Sequence, residues 1–335
     1  MPSAAAAKRL LLVIGLILVA LLLVGLVFGA IGSAILGTER LVPQPEIHLP
    51  PQPVFPASSR EMHLGLTPAE GGAGEAHPPT PGGEAEEEAQ ATPLGITEFA
   101  VTNTLLSAWF ASIVMILFFG LGAVKKSLVP GRFQSVVESM FEGILSFSSA
   151  VLGPEMARKA FPIVATIFFF VLFNAWLALL PFYQFLGFID ADTGQIQVHL
   201  LRSAGTDLNM PLALALISFA FVEYWGLKAH GFGYLRKFFA FGSIFRRGFF
   251  QGLIDIFVGF LELVSELVRI VSFTFRLFGN MTAGEILVVM ITFLVPLVLT
   301  NFVYGLELLV GLIQSVIFAG LTLVFLALAV RHEEH

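Results

Sequence analysis

From Leu10 to Ile31 the sequence runs for 22 residues without a charged side chain, directly after Lys8 and Arg9. As a helix such a run covers about 33 Å, enough to cross the ~30 Å hydrocarbon core of a bilayer. Comparable apolar runs recur as far as Val330. Lipid offers no hydrogen bonds to a backbone, so a chain built from such runs must form helices or a closed barrel. Long runs that do not alternate point to helices. Composition agrees: 56% of the 335 residues are hydrophobic and 13% charged, against about a quarter charged in soluble domains. That excludes an ordinary soluble domain and a nucleic-acid binder. With no cysteine, disulfides, thiolate nucleophiles and Cys-ligated metal are excluded too.

The chain divides into an N-terminal membrane helix or signal segment (1–37), a linker (38–96) and a membrane domain (97–335). The first apolar run exceeds a usual signal core of roughly 7–15 residues, which favours a retained helix; the rival is a cleaved signal with Gly32 and Ala34 before the cut. Gly25 and Gly29 give it a GxxxG spacing able to pack against a partner helix. The linker holds 11 of the 18 prolines, nine Glu and two Arg. Its net charge of −7, within −6 for the chain, leaves +1 elsewhere, so the acidity is local and the segment reads as a disordered or extended tether. Within the membrane domain the expected order is a helix at 103–124, an amphipathic surface helix at 131–160, and a span that follows Pro162 and ends at Pro181. A polar loop follows at 182–207, then a span at 208–229 with Asp207 as N-cap. A basic loop at 230–248 precedes two long segments, 249–291 and 297–330. With the N-terminus inside, 13 Lys and Arg fall on the cytoplasmic side and only Arg40, Arg60 and Arg202 outside, so both termini are expected in the cytoplasm and the linker outside. The expected fold is an all-α polytopic membrane protein with about six membrane helices and one amphipathic surface helix.

The last two segments carry the chemistry. At 43 residues, 249–291 would measure about 64 Å as a straight helix, so it must lie steeply tilted, and 297–330 with it, as an antiparallel pair. Glu262, Ser265, Glu266, Arg269, Ser272, Arg276 and Asn280 recur at steps of three or four and put most of a polar stripe on one face. Ionisable groups in a bilayer usually face a cavity or a partner. Arg269 has Glu266 within one turn and can be a buried ion pair; Arg276 has no carboxylate at i±3 or i±4. On the last segment Glu307 and Gln314 share a face. In an antiparallel hairpin facing residues have a near-constant index sum: 592 for Glu285 with Glu307, 590 for Arg276 with Gln314. One register therefore sets the two Glu side by side, with the chain turning near Pro296. Neighbouring carboxylates in a low dielectric titrate as a unit and suit a proton relay. A guanidinium stays protonated and suits a fixed barrier.

The block from Arg276 to Glu285, RLFGNMTAGE, resembles the signature of subunit a of the F-type ATP synthase membrane sector. The stretch from Gln314 to Thr322, the patch Phe173–Pro181 and Asp207-Leu208-Asn209 are similar to further family patches, and the likeness covers residues 97–335. The resemblance implies that Arg276 is the stator arginine facing the carboxylate of a rotating c-subunit ring, with Asn280 on the same surface and Gln314 beside Arg276. It implies Glu285 and Glu307 in an outer half-channel, Asp207 and Asn209 near its entrance, and Glu262 near the inner half-channel. Glu307 stands where bacterial relatives often have His, and Ile270 where the family often has Pro.

The implied role is the proton-channel stator of a rotary ATP synthase in the bacterial inner membrane. Its implied partners are the c ring, peripheral-stalk b subunits, the remaining subunits and lipid, with no nucleic acid and no cofactor. Without a GxxxxGK[ST] loop no nucleotide site is expected here. The alternative, an autonomous ion-coupled secondary transporter, predicts two similar halves with matched interrupted helices, and no such repeat is visible. The seven His lie in loops, tails or segment ends, and the C-terminal His332–His335 lacks the HExxH metal spacing.

Overall fold

The computed structural model describes residues 4–37, 42, 51–57, 59–60, 100–124, 131–189, 196–231, 233–234 and 249–330. Most of the linker (38–41, 43–50, 58 and 61–96), the basic residues Arg236, Lys237, Arg246 and Arg247, and the tail 331–335 lie outside the described residues. Helix α1 spans Ala4–Phe28 and α2 spans Ala30–Leu36, followed by the short strands β1 (Pro53–Phe55) and β2 (Val101–Thr102). Then come α3 (Asn103–Val124), α4 (Arg132–Leu152), α5 (Pro154–Ala178) and the one-turn α6 (Phe182–Phe185). Strands β3 (Gly187–Ile189) and β4 (Ile196–His199) form an antiparallel pair. A 3₁₀ turn at Ala204–Thr206 leads into α7 (Asn209–His230), α8 (Phe249–Leu294) and α9 (Val298–Val330).

By length and composition six helices among the described residues can cross a membrane: α1, α3, α4, α5, α7 and α9. Helix α8 is longest, 46 residues, about 69 Å if straight, more than twice the hydrocarbon thickness. It cannot stand upright in a bilayer. Together these make seven long helices, equal in number to the six crossings and one amphipathic helix read from the sequence. The amphipathic segment differs from its expected bounds. The chain breaks at Gly153, whose φ of 77° is left-handed and suits glycine, and Pro154 opens α5 at a first-turn position where its missing N–H costs nothing. Pro162 therefore lies inside α5 rather than at the start of a span. The carbonyl it leaves without a helical donor is that of Arg158, in the first turns of α5.

Helices α5 and α9 sit at the centre. Val164, Phe168, Phe169 and Leu172 of α5 pack with Phe221 and Val222 of α7 and with Ala319, Leu323 and Leu326 of α9. A second cluster brings Ile167 and Val171 of α5 and Leu214 of α7 onto Phe273 and Leu277 of α8 and Phe318 of α9. In lipid this contact is held by dispersion and interhelical hydrogen bonds rather than by exclusion of water. Ser218 and Thr322 share a buried hydroxyl contact of 2.7 Å between α7 and α9. Trp176 donates its indole N–H to the Leu308 carbonyl at 2.9 Å, and Gly311 leaves the space that Ala175 fills.

The turn expected at Pro296 is present. Helix α8 ends at Leu294, α9 begins at Val298, and Leu297 between them has φ 76°. Gly25 and Gly29 of the first helical stretch press against this turn. A Cβ at Gly25 would run into the Pro296 carbonyl, and one at Gly29 into the Leu294 carbonyl. The GxxxG spacing is thus used within the chain, backbone against backbone. The described part of the linker also packs inward. Asn103 donates its N–H to the Gln52 carbonyl at 3.0 Å, the Gln52 N–H returns to Asn103 Oδ1 at 3.2 Å, and Val54 is fully buried. The Arg60 guanidinium lies 3.9 Å above the Phe188 ring. Residues 51–57 and 59–60 form a strap on the membrane domain, where the sequence reading expected a solvated tether.

Candidate functional site

At the end of the bundle that carries the α8–α9 turn lies a cavity of about 520 Å³. Glu285 of α8 and Glu307 of α9 both line it, together with Arg202, Tyr183, His199 and Tyr304. The expected pairing of the two helices therefore brings both acids to one space. Gly284 is what permits it: a Cβ there would collide with the Glu307 carboxylate. The two acids differ in their surroundings. Glu285 is gripped by Arg202, with Nε to Oε1 at 3.1 Å, Nε to Oε2 at 3.3 Å and Nη2 to Oε2 at 3.2 Å. Glu307 is half-buried and has no hydrogen bond or ion pair among the described residues. Burial pushes the Tyr183 hydroxyl up to about 12, with a hydrogen bond to Ser107 working the other way, so it is protonated at neutral pH.

Arg202 was not singled out from sequence as a site residue. It lies in the loop before α7, 83 positions from Glu285, and no periodicity relates the two. Its one sequence signal was that it is the lone Lys or Arg of the polar loop 182–207, on the side expected to be poor in Lys and Arg.

Further along α8, Arg276 is half-buried beside Leu277, which is fully enclosed by the second core cluster. Arg276 makes no hydrogen bond or ion pair among the described residues. Asn280, one turn on, donates its amide to Gln314 Oε1 at 2.7 Å. That contact has an index sum of 594, so Gln314 meets α8 about one turn beyond Arg276. Gly279 faces open space, with nothing within 4 Å of where a Cβ would stand.

Asp207 and Asn209 are not in the cavity wall. Asp207 holds the start of α7: its Oδ1 accepts the Asn209 N–H at 3.0 Å, and its Oδ2 accepts the Thr104 hydroxyl at 2.9 Å. The N-cap position expected for Asp207 falls instead to Leu208, which makes no side-chain cap; Asp207 stands one residue earlier and ties α3 to the entry of α7. Near the middle of α8, Arg269 Nη1 lies 2.6 Å from Glu266 Oε2 and its guanidinium stacks 3.8 Å over Phe325. Tyr234, just after α7, donates to Glu223 at 3.3 Å. Burial, then the Glu223 and Glu266 carboxylates, raise its hydroxyl well above the usual range. Glu262 lies on α8 one turn before Glu266, half-buried. No group of three or more His, Asp or Glu able to hold a metal is present among the described residues.

Comparison with known proteins assigns a family to the region that carries these residues. The family model described as the ATP synthase A chain matches residues 105–327. A protein of Campylobacter curvus named ATP synthase subunit a is 34% identical over 228 residues, covering 67% of this chain and 88% of that protein. One of a Sulfurihydrogenibium species with the same name is 33% identical over 223 residues, covering 67% and 94%. One from Gloeobacter violaceus is 32% identical over 237 residues, covering 70% and 86%. The matched family region, from 105, excludes α1, α2 and the strap.

Proposed function

The chain belongs to the ATP synthase subunit a family, a component of the membrane sector acting in ATP synthesis and proton transport, and on that footing we propose that it forms the two half-channels and fixed barrier of the stator. The observation that carries this reading is the division of α8. Nine residues from Glu285, which shares a cavity with Glu307, or about 14 Å along the helix, stands a guanidinium with no partner among the described residues. An unpaired charge at membrane depth is expensive, and one that cannot release its proton cannot conduct. Arg276 is placed to meet a carboxylate supplied by another subunit. The open backbone at Gly279 and the exposed apolar row of Phe257, Leu261, Val268 and Phe275 suit the close approach of a c ring.

In this scheme a proton enters from outside through Glu285 and Glu307 and neutralises a ring carboxylate. The ring turns through lipid until that acid meets Arg276 and the inner path near Glu262, where it ionises. Arg276 blocks a direct leak. The chain sits in the bacterial plasma membrane with α1 retained, both termini cytoplasmic and the linker outside. Its partners are the c ring, the b subunits of the peripheral stalk and the remaining ATP synthase subunits.

ATP-driven acidification of vesicles carrying the assembled complex tests the relay. Glu285→Gln should slow pumping by about a hundredfold and Glu307→Gln by about tenfold, the order of loss when a positioned proton carrier is removed. Parental rates in both variants would sink the relay.

A further inference from the structure

The contact between Arg202 and Glu285 is built from both sides. Arg202 has 10% of its side chain exposed and Glu285 has 35%, so the guanidinium is enclosed while the carboxylate keeps a face on the cavity. The loop that delivers Arg202 is itself anchored. Its backbone N–H donates to Ser107 Oγ at 2.9 Å, Ser107 donates to the Asn103 carbonyl at 3.0 Å, and Asn103 is the residue that clasps Gln52 of the strap. Three residues further on, buried Gly205 lets Met281 of α8 pack against the 3₁₀ turn, one helical turn before Glu285. Arg202 is thus held in place by α3 and α8 together.

We propose that Arg202 is the positioning residue of the Glu285–Glu307 relay. It aims the Glu285 carboxylate at the cavity and supplies the positive charge that lets two acids share one low-dielectric space. The inference rests on the reading of those acids as a relay. Two ionised carboxylates around one cavity repel strongly. With Arg202 counted, the cluster is neutral when it holds one proton rather than two, and a one-proton cluster can pass each proton on as the next arrives. The other titratable groups at this cavity are Tyr183 from α6, Tyr304 from α9 and His199 from β4, none of which is a fixed cation. The planar fork touching both oxygens of Glu285 also fixes which edge faces Glu307, which a mobile ammonium would do less well.

The test is a double-mutant cycle in the assembled complex, read by ATP-driven vesicle acidification. Arg202→Gln should lower pumping about tenfold and Arg202→Lys no more than about threefold, while adding Arg202→Gln to Glu285→Gln should cost less than about twofold further, because coupled neighbours are non-additive. A purely structural Arg202 would lower the amount of assembled complex alike in both backgrounds and leave the rate per complex unchanged, which would overturn the proposal. Parental pumping by Arg202→Gln beside a defective Glu285→Gln would overturn it too and leave the relay standing. Parental pumping by Glu285→Gln would remove the relay itself. Should Arg202→Gln not assemble, Arg202→Lys takes its place in the cycle: a two- to threefold lower rate per assembled complex with Glu285 intact and no further drop beside Glu285→Gln upholds the proposal, and equal drops in both backgrounds or none in either overturn it.

Discussion

Arg269 and Arg276 stand seven residues apart on one face of α8, and the fold treats them in opposite ways. Arg269 has Glu266 at i−3 in ion contact and Phe325 beneath its guanidinium. Arg276 has neither. Its own helix offers no carboxylate within a turn. The register set by Asn280 with Gln314 and by Phe273 with Phe318 brings Ser315–Phe318 of α9 opposite it, a stretch without an acid. A buried charge that is paired holds helices together; one left open at the same depth is an invitation to a charge from outside the chain. The difference turns on where carboxylates fall within one helical turn. That much could be read directly from the sequence.

The largest effect should come from Arg276. Arg276→Ala is expected to reduce ATP-driven acidification by about a hundredfold or more, as loss of a preorganised charge does elsewhere, with ATP hydrolysis in the soluble head still measurable. Normal pumping would erase the contrast and make Arg276 one more structural cation. Next in size is Glu266→Gln, which strands the Arg269 guanidinium. Breaking a buried pair from one side costs about 3 kcal/mol, so the thermal midpoint and yield of the complex should fall while the rate per assembled complex holds. A pumping defect without a stability loss would place Glu266 and Arg269 on the proton path and reverse their assignment.

Much of this was legible because lipid leaves few choices. The helix at 103–124 falls where its apolar run does, and α8 and α9 end within three residues of their expected limits around Pro296. The Glu285–Glu307 encounter followed from the antiparallel register alone. What was not legible depended on contacts between distant segments. Arg202 reaches Glu285 across 83 positions from an irregular loop. The prolines of 51–60 read as a tether, and only the reciprocal bonds between Gln52 and Asn103 show a strap. Gly25 and Gly29 announced a close approach without naming the Leu294–Pro296 backbone as its object. The break at Gly153-Pro154 was written in plain turn chemistry, but Pro162 drew the boundary because an interior proline is less costly in a membrane helix than in water.

A smaller effect separates the two halves of Arg269's environment. Phe325→Leu keeps the apolar volume roughly and removes the ring face, a loss of about 1 kcal/mol. It should lower the thermal midpoint less than Glu266→Gln does. An equal or larger drop would show that the ring, and not the carboxylate, is what settles Arg269.

The smallest concerns Gln314, 1% exposed in the α8–α9 seam. Gln314→Ala removes the acceptor of the Asn280 amide. Asn280 is itself exposed, so the freed amide can turn away, and the net loss should be about 1 kcal/mol. Because Asn280 lies one turn from Arg276, that loss should surface as a two- to fivefold drop in pumping with little change in assembly, about what 1 kcal/mol allows. The sharper result would be a leak: faster passive proton conduction in Gln314→Ala, absent in Phe325→Leu, would mean that the seam around Arg276 is itself part of the barrier. Unchanged pumping and no leak would confine the barrier to the guanidinium alone.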